Sequence, residues 1–179
     1  DNTIVSVDAR DSSTGIIRRL CAPQFIDASG DGWLGHWAGA ETRYGREAAS
    51  EFDEEWEKYG DLWSPDVADN RSMGSSVLWN SHKTSAGSTF PEVPWATAIS
   101  GDSAETQGQW FWEYSDNDLN QIDDAEQIRD HMLRAIYGNF SNAKRSPKNA
   151  SVALLWVAYV AGKRESRRIM GDYIYTMKD

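Results

Sequence analysis

Two short apolar-rich runs stand near the start of the chain. Residues 3–9 (TIVSVDA) and 16–20 (IIRRL) read as strands, and residues 11–15 between them (DSSTG) are turn formers, so the pair predicts a β-hairpin. Pro23 interrupts the pattern, and residues 25–28 (FIDA) predict a short buried strand. Gly30 and Gly32 mark a tight turn, and residues 33–40 begin a helix with small residues on one side. Residues 41–61 are charged and partly helical in pattern, and residues 60–75 are loop-like. Residues 76–80 (SVLWN) and 109–114 (QWFWEY) predict strands, separated by an irregular stretch rich in Gly, Ser, Thr and Pro at 84–109. The strongest periodicity lies at residues 119–140. Apolar residues there recur at Ile122, Ala125, Ile128, Met132, Leu133, Ile136 and Tyr137, which is helical spacing, and Gly138 with Asn139 suits the helix end. Residues 152–160 predict a fully buried strand, and residues 162–179 are basic and then aromatic. The sum is an α+β chain without internal repeats and without the regular βαβ alternation of a complete doubly wound domain.

The chain has 179 residues, which suits one domain or one large piece of a bigger one and is long enough for a sizeable core. Its net charge of −10 makes it a poor candidate for nucleic acid, which requires clustered Lys and Arg. The local exception is residues 144–168, where seven basic residues stand against the single acid Glu165. Cys21 is the only cysteine, which excludes an intrachain disulfide and a thiolate zinc site. The longest apolar run, residues 152–161, is too short to span a bilayer. No signal peptide is visible, and residue 1 is Asp, which gives the expectation of a processed or cut chain whose compartment cannot be read from its start.

The candidate chemistry centres on residues 30–35, GDGWLG, a literal G-x-G-x-x-G. A dinucleotide fingerprint places such glycines between a strand and a helix inside a βαβ unit, with an acid about 20 residues on. Here no apolar strand follows until about Val77, and Glu51 lies in a charged segment. A calcium loop starting at Asp27 would need a bidentate Glu at its twelfth position, which is Ala38. A strand–turn–helix corner used only for packing is the plain alternative. A further possibility is a later nucleotide contact in a larger protein.

That last possibility gains from other segments. Residues 25–32 (FIDASGDG), 38–52 (AGAETRYGREAASEF), 128–138 (IRDHMLRAIYG) and 162–173 (GKRESRRIMGDY) together resemble the FAD-dependent oxidoreductases of the glutathione-reductase-like superfamily. These are widespread in bacteria and include dehydrogenases and polysaccharide-associated enzymes. The resemblance covers nearly the whole chain and is weakest at residues 53–118. It implies that FIDASGDG is the strand and turn that re-enter the FAD domain after a small β-meander, with Ser29 in place of the more usual Thr. It implies that Ser29, Gly30, Asp31 and Gly32 contact the cofactor FAD. It assigns residues 1–40 to the edge of the FAD-binding domain and residues 41–179 to an inserted, substrate-side α+β region. The family's own G-x-G-x-x-G strand–turn–helix and its closing glycine-rich segment are missing. The expectation is an internal fragment, inactive and without FAD by itself, whose partners are the rest of the FAD domain and a small-molecule substrate.

Arg164, Arg167 and Arg168 surround Glu165 and are candidates for an anionic substrate or a phosphate, since guanidinium forks suit such groups. An ion-pair brace is the equal alternative. The same choice arises at Arg43, Arg46 and Glu47, where a structural brace is favoured. His36, His82 and His131 are scattered and receive no catalytic role, and no residue is assigned as catalytic acid or base. No metal site is expected. Trp79, Trp95, Trp110, Phe111 and Trp112 would suit either ordinary core or a sugar-stacking surface, so a stand-alone carbohydrate-binding module is the alternative function. Sequons at Asn70, Asn139 and Asn149 are short enough to arise by chance.

Overall fold

The computed structural model describes residues 3–54, 65–99, 106, 113–114, 118–176 and 178–179. Among these, the elements are β1 (Val7–Arg10), β2 (Ile17–Leu20), α1 (Trp33–Trp37), β3 (Thr42–Arg43), β4 (Ser75–Ser76), β5 (Trp79–Lys83), β6 (Glu113–Tyr114), α2 (Ala125–Lys144), a 3-10 turn (Pro147–Asn149), β7 (Val152–Val157) and β8 (Arg168–Ile169). The strands form four antiparallel pairs, β1–β2, β3–β8, β4–β6 and β5–β7. The fold is α+β, as the sequence pattern predicts.

The hairpin forms where expected, with Val7 opposite Leu20 and Arg10 opposite Ile17. Asp11 builds its turn. Its Oδ1 accepts from the Ser13 amide at 2.9 Å, the Ser13 hydroxyl at 2.7 Å and the Thr14 amide at 3.2 Å. Gly15 closes the turn at φ 73°, a conformation that costs glycine little. Across the strands Arg19 clasps Asp8 with two bonds of 2.8 Å.

The core sits on α2. Ile128, Met132, Ile136 and Phe140 recur along one face and are buried against Val77, Trp79, Tyr114 and Val152. Trp79 and Phe140 meet edge to face with centroids 6.1 Å apart.

Both helix ends differ from the periodic pattern. The start moves to Ala125 because Asn120 offers the backbone an alternative. Its Oδ1 accepts from the amides of Ile122 at 2.8 Å and Asp123 at 3.1 Å, an Asx turn in place of a first helical turn. The helix also runs through Gly138 and Asn139 to Lys144. Gly138 is not a cap. A Cβ there would lie 1.8 Å from the Thr97 carbonyl oxygen, so glycine lets a crossing loop touch the helix. The end comes where Lys144 Nζ donates to Ser88 Oγ and to the carbonyls of Asn149, Ala150 and Val152, at 2.8–3.1 Å.

Four other expectations are corrected. Residues 25–28 form no strand, and Ile26 is exposed, because the Asp27 side chain bonds the following turn. Among the described residues of 41–54 there is no helix; Thr42–Arg43 pairs with Arg168–Ile169 instead. Residues 76–80 contribute to two strands, β4 and β5, rather than one. Finally, β7 is not fully buried. A bulge opposite Asn80 and Ser81 resets the alternation, so Leu155 and Trp156 face outward while Leu154 and Val157 meet the core. The aromatic run at 109–112 lies outside the described residues.

Candidate functional site at the glycine turn

Asp27 organises the turn. Its Oδ1 accepts from the Ser29 amide at 3.0 Å and the Ser29 hydroxyl at 2.7 Å, and its Oδ2 accepts from the Gly35 amide at 3.1 Å. The Ser29 hydroxyl oxygen in turn accepts from the Trp33 amide at 2.9 Å. These donors hold the Asp27 carboxyl down at about 2, led by the Ser29 hydroxyl, then the Ser29 and Gly35 amides. Gly30 and Gly32 adopt φ of 83° and 63°. Their roles differ. A Cβ on Gly30 would meet nothing, whereas a Cβ on Gly32 would lie 3.0 Å from the Ile169 side chain and one on Gly35 only 2.4 Å. Gly32 and Gly35 thus admit Ile169 of β8, and Gly30 stands open.

Asp31 turns inward. Its buried carboxylate pairs with Lys163 and accepts from the Ser166 hydroxyl at 2.6 Å. Burial pushes this carboxyl up, but the bonds from Lys163 and Ser166 and the Lys163 charge outweigh it, and it ends below the ordinary value. The turn and the basic segment, far apart in sequence, therefore share one cavity of about 280 Å³, lined by Ser29, Gly30, Asp31, Lys163, Arg164, Glu165 and Ser166.

The three candidate arginines part company. Arg164 lines that cavity and reaches Glu113 at 3.2 Å. Arg168 is a brace, bonded to Glu165 at 2.7 Å, Glu47 at 2.9 Å and the Gly45 carbonyl at 2.7 Å. Arg167 lies over the Trp33 ring, 4.8 Å from its centroid. Arg43 pairs with Glu51 and Arg46 with Asp69, beside a second, charge-balanced cavity of about 370 Å³ that Arg168 also lines.

Neither literal motif survives the geometry. The glycine turn leads to β3, which pairs antiparallel with β8, so no βαβ unit follows it. For calcium, the carboxylates of Asp27 and Asp31 face hydrogen-bond donors and Lys163. His36, His82 and His131 lie apart on α1, β5 and α2. Trp79 is wholly buried in the core, so it cannot stack on a sugar, while the half-exposed Trp95 rests on Tyr137 at 5.1 Å. Asn139 and Asn149 are buried, and Asn149 Nδ2 donates to the Ala143 carbonyl, so only the exposed Asn70 presents a sequon to solvent. Asp27, Lys163 and Ser166 were not among the expected site residues. The one sequence signal for Lys163 is its place in the basic stretch.

FAD fits this turn through the backbone. The amides of Gly30, Asp31 and Gly32 have no hydrogen-bond acceptor among the described residues, and the space beside Gly30 is open. The side chains of Ser29 and Asp31 are engaged in holding the turn. A cavity of about 280 Å³ suits part of a dinucleotide, since whole drug-sized ligands occupy about 300–1,000 Å³.

No curated protein and no solved structure matches the chain. A family model described as "FAD dependent oxidoreductase" matches residues 1–179, and the full-length proteins of that family use FAD. With the match spanning every residue, the chain belongs to the FAD dependent oxidoreductase family.

Proposed function

We propose that the chain is an internal part of a dehydrogenase-type, glutathione-reductase-like FAD oxidoreductase, and that residues 29–32 hold one edge of the cofactor. In this reading residues 1–40 belong to the edge of the FAD-binding domain and residues 41–179 to the substrate side. The observation that carries it is the row of three unpaired amides beside the open Gly30. Glycine there allows a polar ligand to approach the backbone closely. FAD, when bound, takes a hydride or electron pair from a small organic substrate or returns it.

The chain's own residues bind and orient. Gly30, Asp31 and Gly32 offer amides. Asp27 fixes the turn from within, and the Asp31–Lys163–Ser166 cluster fixes it to the segment before β8. Arg164 adds positive charge at the cavity wall. The hairpin supports a covering partner, because Ile16, Ile17 and Leu20 are all exposed and an isolated two-stranded hairpin is marginal in water. Further polypeptide of the FAD domain is the proposed cover.

The test is the absorption spectrum of the protein expressed from its complete reading frame, alone and after addition of FAD. A bound flavin spectrum is expected, lost in Gly30→Val with the α2 core intact. A protein that stays colourless with added FAD overturns the proposal.

A further inference from the structure

Residues 163–168 carry four cations, and three of them have a carboxylate partner: Lys163 has Asp31, Arg164 has Glu113, and Arg168 has Glu165 and Glu47. Arg167 has no ion-pair partner among the described residues, and its Nη1 is a buried nitrogen without a hydrogen-bond acceptor. A buried donor left unmade costs free energy, more so when it is charged. Exposed arginines such as Arg18 do not face this cost, because water solvates them. The Arg167 guanidinium is also held in place. It lies 4.8 Å from the centroid of Trp33, the residue that follows Gly32, and that indole packs against Trp37 at 5.2 Å. The Arg167 backbone is equally close, its carbonyl oxygen 4.0 Å from where a Gly32 Cβ would stand.

We infer that Arg167 is an oxyanion-binding residue, and that it takes a phosphate or carboxylate group of a small molecule bound at the glycine turn. Contact with the ring face takes up none of the guanidinium N–H groups in a hydrogen bond to a carboxylate, and a guanidinium can pair two N–H groups with two oxygens. The contact with Trp33 also holds the side chain before the ligand arrives, so less rotamer freedom is lost on binding. Arg164 and Arg168 are excluded from this role by their existing carboxylates, which an incoming anion would have to displace. The placement of the small molecule rests on the FAD-site proposal; the oxyanion preference of Arg167 stands on its own contacts.

The experiment is titration calorimetry of the protein expressed from its complete reading frame with inorganic phosphate and with acetate, for wild type, Arg167→Gln, Arg167→Lys and, as a control on the exposed hairpin, Arg18→Gln. Wild type is expected to bind at least one of the two anions saturably. Arg167→Gln is expected to lose about tenfold or more in affinity, the worth of one charge-assisted bond. Arg167→Lys is expected to fall between, keeping charge without the fork, and Arg18→Gln to match wild type. Absence of saturable binding by wild type, or unchanged binding by Arg167→Gln, overturns the inference. A parallel titration with FAD separates the sources. Weaker FAD binding by Arg167→Gln assigns the group to a cofactor phosphate, and unchanged FAD binding with lost anion binding assigns it to a substrate carboxylate. Saturable, Arg167-dependent anion binding by a protein that takes no FAD would retire the flavin proposal and leave this one standing.

Discussion

Around α2, Trp79 and Phe140 meet with neither ring reaching water, and six further apolar side chains close over them. Around the glycine turn the contacts are polar: Asp27 to three donors, Asp31 to Lys163 and Ser166, and Arg167 to a ring face. The hairpin preceding that turn buries almost nothing, with Ile17 64% exposed. The first region is set by burial, which is non-directional and tolerant of small changes in partner. The second is set by hydrogen-bond geometry, which fixes backbone groups in direction. That difference suits their tasks, one holding the chain together and the other presenting amides at defined positions.

The contrast is broken most directly in the core. Phe140→Ala should cost about 3–5 kcal/mol and lower the whole denaturation curve, as read by urea unfolding. Loss confined to a small local change would contradict a single core on α2. Lys144→Met should cost about 2–3 kcal/mol in the same assay, because the carbonyls of Asn149, Ala150 and Val152, in the segment that follows α2, lose a charged donor. Asp31→Asn should cost about 2 kcal/mol, and its mark should be local. Amide exchange should quicken at residues 29–35 while α2 stays protected; equal loss in both regions would show that the turn is no separate unit.

The pH dependence sharpens the comparison. Folding lowers the Asp27 carboxyl from its ordinary 3.8 to about 2, so the unfolded chain binds its proton more readily. The stabilisation is complete above about pH 4 and drains away as pH falls towards 2. Asp27→Asn should flatten that part of the melting-temperature profile, whereas a core variant such as Phe140→Ala should lower it at every pH. The smallest effect belongs to the hairpin. Ile17→Ser should change the stability of this chain by no more than about 0.5 kcal/mol, since the side chain is already exposed. A larger loss would mean that the hairpin face is covered.

The centre of α2 was legible because Ile128, Met132, Ile136 and Phe140 repeat at the helical period. Its ends were not, because they depend on groups outside the pattern: the Asn120 side chain at one and the Asn149 side chain, which donates to the Ala143 carbonyl, at the other. Gly138 read as a stop because its contact with Thr97 spans a loop that periodicity cannot see. Residues 25–28 read as a strand from Phe25 and Ile26, but the Asp27 carboxylate drew the backbone into a turn. The glycine turn itself was legible from its residues. The pairing of Asp31 with Lys163 was not, since nothing local joins two residues so far apart in sequence.

The central claim is that the amides of Gly30, Asp31 and Gly32 meet the flavin cofactor. Amide hydrogen exchange at these three positions, in the protein from the complete reading frame with and without FAD, tests it most directly. The account predicts marked slowing at all three on FAD binding, beyond any change in α2. FAD bound with these amides exchanging at their free rate would contradict it.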